Sequence, residues 1–205
     1  MRLDLILLGC GGHAKQVIDI VKKKYYGIEI YDDNKSGTFY GYPISGKISD
    51  LTPEYVKGES FEIFCCIGDN KIRKELFIKF KDCNWINCIS DRIEISNSAV
   101  IGKGNYIDTN ILSDSKIGDA NILNIGSILT HDLKLGSFNH IAPGATICGN
   151  VQIGDNNLIS AGSVLIPKVI IKDNIIFGAG SIVIKSILEP GTYLGHPVNK
   201  LLGKI

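Results

Sequence analysis

The feature that most constrains this chain is a six-residue repeat of large aliphatic side chains in its second half. An isoleucine or leucine occupies every sixth position from Ile117 to Ile171. A period of six does not suit one helical face, because six steps of about 100° turn the side chain by about 240°. It suits strands, because residues six apart in an extended chain face the same side. Glycines and asparagines recur between the apolar positions, so we predict triangular coils of three six-residue steps around a narrow core.

The repeat is less regular on both sides of this stretch. Ile95, Ile101 and Ile107 extend it upstream in a shifted register, which predicts an irregular coil near residues 108–116. The rhythm weakens after Ile171, which indicates that the chain leaves the coil there.

The first half of the chain alternates between strand and helix patterns. The predicted strands are Leu3–Leu8, Ile28–Tyr31 and Phe61–Ile67, and the predicted helices are His13–Lys24 and Lys71–Phe80. This order is typical of βαβ organisation with a parallel sheet, at about half the size of a full dinucleotide-binding domain. We therefore expect a Rossmann-like α/β half-domain over residues 1–85, followed by a parallel β-helix with a C-terminal tail over residues 86–205.

Composition narrows the classes of partner. The chain has 22 Lys plus Arg and 21 Asp plus Glu with no basic run, which gives no indication of nucleic acid or a membrane surface as a partner. No apolar stretch reaches the roughly 20 residues that a membrane span requires. The six cysteines show no zinc-ligand spacing, so we expect buried free thiols, which suits a cytoplasmic protein. We expect no metal site.

A glycine-rich turn follows the first predicted strand. The pattern Gly9-x-Gly11-x-x-Ala14, with Asp32 18 residues beyond Ala14, fits a dinucleotide fingerprint and by itself indicates NAD. The short domain lacks a second mononucleotide-binding half, however. The alternative is that the N-terminus of the helix holds the phosphates of a nucleotide-linked sugar.

Several motifs together resemble one enzyme family. The Ile-Gly steps at Ile101, Ile117 and Ile153 resemble the left-handed parallel β-helix of hexapeptide acyltransferases, and the handedness rests on that resemblance, because ordinary parallel crossovers are right-handed. In the N-terminal half, three further segments resemble those of a group of sugar O- and N-acetyltransferases. This group includes PglD and the sialic-acid O-acetyltransferase NeuD. These segments are Gly9–His13, Asp32–Asp33 and Ile67–Lys74.

The resemblance implies a catalytic histidine. The stretch from Asn124 to Asp132 is similar to the N-x(6)-H-[DE] motif of the family, which makes His131 the base and makes Asn124 and Asp132 the residues that orient it. A neighbouring carboxylate raises the basicity of a histidine by stabilising the imidazolium. Strict strand alternation would point Asp132 away from His131, so their pairing requires a turn or a partner subunit.

The resemblance also implies two binding surfaces. The residues expected to contact acetyl-CoA are His140, Gly149, Ala161, Ala179 and Lys185. The residues expected to contact the nucleotide-linked sugar are Gly9, Cys10, Gly11, Gly12, His13, Asp32, Asp33, Cys65, Gly68, Asp69 and Asn70, with Arg73 as a weaker candidate. The family often has Asn where Asp69 stands, which leaves the identity of the nucleotide open.

The function implied is transfer of acetyl from acetyl-CoA to the 4-amino group of a nucleotide-linked 4-amino-4,6-dideoxyhexose. A UDP-sugar is favoured, with dTDP and GDP as alternatives, and transfer is direct, without a covalent enzyme intermediate. The family resemblance further implies a homotrimer with active sites between subunits. The alternatives are O-acetylation of a sialic acid or related sugar, and a non-catalytic repeat protein or NAD-binding module.

Overall fold

A computed structural model describes residues 4–58 and 61–201. The chain divides into two compact units, Met1–Ile89 and Ser90–Ile205. The short strand Cys88–Ile89 ends the first unit and contacts its first helix. Among the described residues no helix has the length and apolarity to cross a membrane.

The N-terminal unit is a six-stranded sheet with helices. The strands of the sheet are β1 Leu5–Leu8, β2 Ile28–Tyr31, β3 Thr38–Phe39, β4 Tyr42–Gly46, β5 Glu62–Cys65 and β6 Asn84–Trp85, and the helices are α1 Gly12–Val21, α2 Pro53–Gly58 and α3 Asn70–Lys79. The unit also contains the short strand β7 Cys88–Ile89, which is not part of this sheet. The sheet order is β3-β4-β2-β1-β5-β6, and all neighbours are parallel except β3 and β4. The predicted βαβ organisation is confirmed, with β1 at the centre and fully buried. Leu3, the first residue of the predicted strand, lies outside the described residues.

The sequence patterns do not predict the β3–β4 hairpin, the short helix α2 or the two-residue strands β6 and β7. The β3–β4 hairpin turns at Tyr40 and Gly41, which have φ of 54° and 84°, as a two-residue turn of the primed type requires. The sequence Tyr-Gly is a weaker signal for such a turn than Asn-Gly. The short helix α2 follows Thr52, whose Oγ1 accepts a hydrogen bond from the Tyr55 N–H at 3.2 Å.

One face of the sheet covers a hydrophobic core shared with α2 and α3. The core includes Ile6, Leu8, Val56, Ile63 and Phe80. On the opposite side of the unit, α1 buries its apolar stripe, whose members are Ala14, Val17, Ile18 and Val21. Of the six cysteines, five are buried as free thiols and Cys148 is half-buried.

The C-terminal unit is a parallel β-helix with three faces. Face 1 holds β8 Val100–Ile101, β10 Lys116–Ile117, β13 Lys134–Leu135, β16 Gln152–Ile153 and β19 Ile170–Ile171. Face 2 holds β9 Tyr106–Ile107, β11 Ile122–Leu123, β14 His140–Ile141, β17 Leu158–Ile159, β20 Ile175–Phe177 and a final pair, β22 Gly191–Gly195 and β23 Val198–Lys200. Face 3 holds β12 Ile128–Leu129, β15 Thr146–Ile147, β18 Val164–Leu165 and β21 Ile182–Val183.

The predicted repeat sets the register of the coils. Ile117, Leu135, Ile153 and Ile171 pair in succession along face 1, so each regular coil contains 18 residues. The irregular coil predicted upstream is confirmed, because Ile101 pairs with Ile117 at a spacing of only 16 residues.

The downstream end of the coil differs from the prediction. Phe177 and Val183 continue the six-residue spacing as fully buried core positions, so the ladder extends two steps beyond Ile171. Phenylalanine and valine fill the same core positions as isoleucine and leucine, although they break the Ile/Leu pattern.

Buried asparagines link successive coils at the turn from face 1 to face 2. Asn105, Asn121, Asn139 and Asn157 are each 0% exposed. The Oδ1 atoms of the first three accept the backbone N–H of the next asparagine, at 2.8 Å in each case. Their Nδ2 groups donate to the carbonyl oxygens of the glycines of the next coil, at 2.9 Å. The asparagine ladder therefore satisfies buried backbone groups at each turn.

Glycines precede these asparagines for a steric reason. At Gly136, an added Cβ would lie 2.2 Å from the Asp155 Oδ1 of the next coil and 2.7 Å from the Gly154 carbonyl oxygen. The same Asp155 oxygen accepts the Ser137 N–H at 2.7 Å. Gly118 and Gly154 meet equivalent neighbours, which explains why glycine follows the core isoleucine or leucine in this column.

We expect Gly136→Ala to destabilise the β-helix by roughly 1–3 kcal/mol, because the new methyl group displaces Asp155 from the Ser137 N–H. Thermal and urea unfolding of the two proteins would measure this loss. Gly68→Ala is the matched control, because a Cβ there meets no atom within 4 Å. Equal unfolding midpoints for Gly136→Ala and the control would contradict the steric explanation.

Candidate active site

The catalytic pair predicted from the sequence lies at the edge where face 3 turns into face 1. His131 Nδ1 lies 2.7 Å from Asp132 Oδ2, and the two side chains are 64% and 49% exposed. Asp132 has φ of 58°, a left-handed conformation that an Asp tolerates better than most residues. This turn returns the carboxylate to the imidazole, which strand alternation alone would not allow.

The next coil leaves room for the imidazole. Gly149 lies one coil beyond His131, and an added Cβ there would stand 2.9 Å from His131 Cε1 and 3.0 Å from Nε2. The Asn150 N–H donates to the His131 carbonyl oxygen at 3.1 Å, which joins the two coils at this edge. With Nδ1–H donated to Asp132, the Nε2 atom of His131 is the proton acceptor of the ring.

Asn124 does not contact His131 within the chain. Its Nδ2 lies 2.9 Å from His140 Nε2, and Asn124 is 7% exposed. His140 is the outward residue of β14, just before the inward Ile141, and Asn124 directly follows the inward Leu123 of β11. Within one chain Asn124 thus pairs with His140, and a role of Asn124 in orienting His131 stays a prediction.

The triangular coil separates the predicted residues into distinct regions. Face 2 is opposite the edge between faces 3 and 1, so His140 and His131 lie on opposite sides of the coil. Lys185 follows β21, at the same edge as His131 but three coils away. Ala161 and Ala179 lie at the third edge, between faces 2 and 3. One chain by itself does not bring these groups together.

The glycine-rich turn of the N-terminal unit leads into α1 at the carboxyl end of β1. Gly9 has φ of 94°, and a Cβ there would lie 2.6 Å from the Ile67 side chain, so the position requires glycine on both counts. Gly11 caps α1 without a side-chain hydrogen bond, and the first turn of the helix holds no acidic residue. Added Cβ atoms at Gly11 and Gly12 would meet nothing within 4 Å. The open backbone at this helix start suits an anionic ligand.

Asp32 holds this turn in place. Its Oδ2 accepts the Cys10 N–H at 2.9 Å and the Cys10 Sγ–H at 3.2 Å, and its Oδ1 accepts the Asn34 N–H at 2.9 Å. Lys35 Nζ donates to the Cys10 carbonyl oxygen at 2.9 Å. Asp33 Oδ1 accepts the Ser49 N–H at 2.9 Å, which anchors the loop after β4. Lys35 and Ser49 were not predicted, because lone loop residues carry no periodic or motif signal.

These contacts move the pKa values of both partners. Burial would raise the pKa of Asp32, but the hydrogen bonds from the Asn34 and Cys10 N–H groups outweigh it and hold the pKa below its ordinary value. Burial and the neighbouring Asp32 raise the pKa of the Cys10 thiol to about 11. Near neutral pH the carboxylate is ionised and the thiol is protonated, so the thiol donates to the carboxylate.

The loop after β5 is organised by Arg73, which is 1% exposed. Its guanidinium donates to the carbonyl oxygens of Ile67 and Gly68, at 3.2 and 3.0 Å, and to Asn70 Oδ1 at 2.6 Å. Burial lowers the pKa of Arg73 to about 10, which leaves it protonated near neutral pH. Arg73 therefore supports the loop from within, which corrects the expectation that it contacts the substrate.

Two other predicted substrate residues have structural contacts. Asp69 is the N-cap of α3, and its Oδ1 accepts the Ile72 N–H at 2.9 Å. Cys65 is 2% exposed and packs in the core beneath the sheet, where burial raises the pKa of its thiol to about 11. The Cys65 side chain therefore faces the core in this structure, and its place at the substrate surface stays a prediction. His13 lies in the first turn of α1, with Nδ1 3.4 Å from Gln16 Oε1.

Two comparisons at the level of sequence concern parts of the chain. A family model described as the PglD N-terminal domain matches residues 4–80. An uncharacterized protein of Acanthamoeba polyphaga mimivirus is 50% identical over 127 residues, or 59% of this chain. The chain spans about a quarter, 25%, of the length of that viral protein.

Solved structures are similar over nearly the whole chain. A mutant of perosamine N-acetyltransferase from Caulobacter crescentus, in complex with CoA and GDP-perosamine, is 29% identical, with a TM-score of 0.90 over 98% of this chain and 97% of that one. The acetyltransferase domain of PglB from Neisseria gonorrhoeae, in complex with acetyl coenzyme A, is 28% identical, with a TM-score of 0.89 over 98% and 100%. WeeI from Acinetobacter baumannii is 26% identical, with a TM-score of 0.86 over 97% and 100%.

The sequence match and the structural matches together cover both units of the chain. The N-terminal match falls on the unit that contains the glycine-rich turn, and the structural matches extend through the β-helix, whose hand is the left-handed one of these acetyltransferases. The N-terminal unit matches the PglD N-terminal domain, and the chain as a whole has the fold of these sugar acetyltransferases.

Proposed function

We propose that this protein transfers acetyl from acetyl-CoA to the 4-amino group of a nucleotide-linked 4-amino-4,6-dideoxyhexose, with His131 as general base. The observation that carries the proposal is the His131–Asp132 pair, at 2.7 Å on an exposed edge of the β-helix. Relatives that match the whole chain hold CoA with GDP-perosamine, or acetyl coenzyme A. The buried free thiols suit a reducing cytoplasm, where we place the protein.

The chemistry follows from the tautomer of His131. Asp132 accepts Nδ1–H, so Nε2 accepts a proton from the acceptor amine as its nitrogen attacks the thioester carbonyl. The tetrahedral intermediate collapses by breaking the C–S bond, and the CoA thiolate leaves and takes the proton from the imidazolium. Asp132 stabilises that imidazolium between the two proton transfers. The Gly149 N–H is the proposed donor to the oxyanion.

The proposed acetyl-CoA surface runs along the coil from His131. Lys185 lies three strand spacings of about 4.8 Å from His131 at the same edge, or roughly 14 Å along the coil. With the thioester at His131, the pantetheine arm of acetyl-CoA extends along this edge of the coil. Its far end, which carries the phosphates, then lies near the Lys185 ammonium. Ala161 and Ala179 are small residues at the neighbouring edge, where they permit close approach of an extended chain.

Assembly of the site requires more than one subunit. His140 and Asn124 lie on face 2, opposite His131, so a neighbouring subunit must supply them if they act at the same site. Face 3 lies between these regions and is the more apolar outer surface. Its outward residues in successive coils are Ile128, Thr146, Val164 and Ile182, three of four apolar, whereas those of face 1 are Val100, Lys116, Lys134, Gln152 and Ile170, two of five apolar. We therefore propose a trimer in which face 3 lines the threefold axis.

The N-terminal unit is the proposed holder of the nucleotide. The uncapped start of α1 offers backbone N–H groups to the diphosphate, next to Lys35. Both carboxylate oxygens of Asp32 are engaged within the protein, so Asp32 acts on the turn rather than on a ribose hydroxyl. This arrangement favours a nucleotide-linked sugar over the NAD interpretation of the glycine fingerprint.

We expect His131→Ala to lower turnover by at least about 10²-fold while acetyl-CoA binding is retained, because the variant loses the general base. Thiol release with UDP-, dTDP- and GDP-linked 4-amino sugars would measure turnover, and calorimetry would measure acetyl-CoA binding. Ser113→Ala is the control, because Ser113 occupies the same edge one coil earlier. Unchanged turnover in His131→Ala would remove His131 from this role.

We expect Arg73→Met to raise the KM for the nucleotide-linked sugar roughly 10-fold, or about 1.4 kcal/mol, because the Ile67–Asn70 loop loses its internal donors. The KM for acetyl-CoA should not change, and Arg73→Lys should restore part of the loss. Leu76→Ala on the same helix controls for general destabilisation. Equal increases in both KM values would contradict a role confined to the nucleotide side.

We expect light scattering to give three times the 22.3 kDa chain mass. Ile128→Asp should dissociate this trimer and abolish turnover, because it places a charge on face 3, where Ile128 is 54% exposed in the isolated chain. Val100→Asp is the matched control on face 1, where Val100 is 62% exposed, and it should remain trimeric. A monomeric wild-type protein at micromolar concentration would contradict the proposal.

A further inference from the structure

A recess of about 460 Å³ opens at the edge between faces 2 and 3, near the N-terminal end of the β-helix. It is lined by residues 92–93, 108–110, 112 and 125–129, which belong to three successive coils. Its volume is within the range of small-molecule sites. None of these residues belongs to the surfaces predicted from the sequence.

The recess exists because one corner of the coil is short. In the coil that follows the irregular one, six positions separate the inward residue of face 2, Leu123, from the inward residue of face 3, Leu129. In the irregular coil only four positions separate Ile107 from Ile111, which are 0% and 1% exposed. This corner therefore lacks two residues, which also explains the 16-residue spacing found across it.

The backbone pairing of face 3 starts only after this short corner. The strand β12 is the end strand of the face 3 sheet, and Ile111 forms its bridge with Ile95 of the preceding coil. The Thr109 hydroxyl donates to the Ser127 carbonyl oxygen at 2.7 Å, which joins the short corner to the next one. The opening is thus set by the register of the coils.

The walls of the recess combine apolar side chains with one ion pair. Leu112 and Ile125 are 42% and 45% exposed. The Asp108 side chain is only 6% exposed, and both of its carboxylate oxygens accept from Arg92 Nη2 at 3.2 Å. The Arg92 side chain is 70% exposed, and its Nη1 group is a further donor. Because the two charges compensate each other, the recess suits a neutral group that has apolar surface and an oxygen acceptor.

The proposed trimer places this recess opposite His131 of the partner subunit. With face 3 along the threefold axis, the edge between faces 2 and 3 of one subunit faces the edge between faces 3 and 1 of the next. Rotational symmetry keeps equal coils at equal heights, and residues 125–129 of the recess belong to the same coil as His131.

The recess lies on the acceptor side of that histidine. Acetyl-CoA is proposed to extend from His131 toward Lys185, which is toward the C-terminal end of the coil. Residues 92–93 and 108–112 lie in the two coils before His131, and thus in the opposite direction. Coils are about 4.8 Å apart, so the recess extends roughly 5–10 Å beyond the reacting amine.

We propose that the recess receives a neutral substituent on the acceptor sugar, attached to the oxygen at carbon 3; this inference rests on the proposed function and its trimer. Carbon 3 is the neighbour of the reacting carbon 4 that carries a hydroxyl, so a group linked there is held beside the amine. An ether or glycosidic substituent presents C–H surface to Leu112 and Ile125 and an oxygen to the Arg92 Nη1 donor. A phosphate or carboxylate is not suited, because Asp108 already compensates the charge of Arg92.

The enzyme then acetylates 3-O-substituted as well as unsubstituted 4-amino-4,6-dideoxyhexoses. The transfer itself is unchanged: the bond between the amine nitrogen and the acetyl carbon forms, and the thioester C–S bond breaks.

Steady-state kinetics of thiol release by the full chain test the inference. The acceptors are three nucleotide-linked 4-amino-4,6-dideoxyhexoses that differ only at carbon 3, which carries a free hydroxyl, a methyl ether or a glucosyl group. The wild-type protein should use both substituted acceptors with a kcat/KM within about 10-fold of the unsubstituted one. Ile125→Phe and Leu112→Phe fill the recess from neighbouring coils, and each should lower the ratio of substituted to unsubstituted kcat/KM at least about 10-fold.

Val100→Phe is the matched control, because it adds the same ring on face 1, where Val100 is 62% exposed. It should leave the ratio unchanged, and equal melting temperatures should show that the three variants fold normally. Acetylation of the unsubstituted acceptor alone, or an unchanged ratio in both recess variants, would overturn the inference while the proposed function stands. If no acceptor is acetylated, the proposed function fails and this inference fails with it.

Discussion

The β-helix depends on the hydrogen bonds that its turns make with the next coil. Each two-residue strand is too short to stabilise itself, so the coils hold together where backbone groups at the edges find partners. The asparagine ladder supplies both a donor and an acceptor at every step from face 1 to face 2, and the neighbouring glycines leave space for the next coil. A buried amide that lost either partner would lower the free energy of unfolding by more than a typical hydrogen bond contributes. The ladder positions therefore require asparagine.

That rigid stack gives the candidate active site its geometry. The edge from face 3 to face 1 repeats a left-handed residue in successive coils, at Asp114, Asp132, Asn150 and Lys168. In only one of these coils is the residue before the left-handed one a histidine, His131. The equivalent position in the next coil is Gly149. The repeated turn therefore brings Asp132 to His131 with no special loop, and the absence of a side chain at Gly149 gives the imidazole its place. The same regularity separates His131 from His140, so a site that uses both must be completed by assembly.

The N-terminal unit achieves its order in a different way, through polar side chains that hold loops at the carboxyl end of the sheet. Asp32 fixes the turn after β1, Asp33 fixes the loop after β4, and Arg73 fixes the loop after β5. Each of these residues resembles a ligand-binding group in the sequence, because charged residues at strand ends are the usual candidates for one. In the fold their charged atoms bind backbone groups. The groups that remain for a ligand are then the backbone N–H groups at the start of α1, which these side chains help to position.

Periodicity alone was enough to predict the β-helix, since an even six-residue spacing of Ile and Leu is compatible with strands and not with a helical face. The motif containing His131 and Asp132 likewise indicated the candidate base. The sequence did not reveal that Asn124 pairs with His140, that Arg73 and Asp69 serve the loop, or that Leu112 and Ile125 share a recess with Asp108. These facts depend on which side chains from distant segments meet. That is decided by the register between coils and between strands, where a shift of one residue would turn every side chain to the other face.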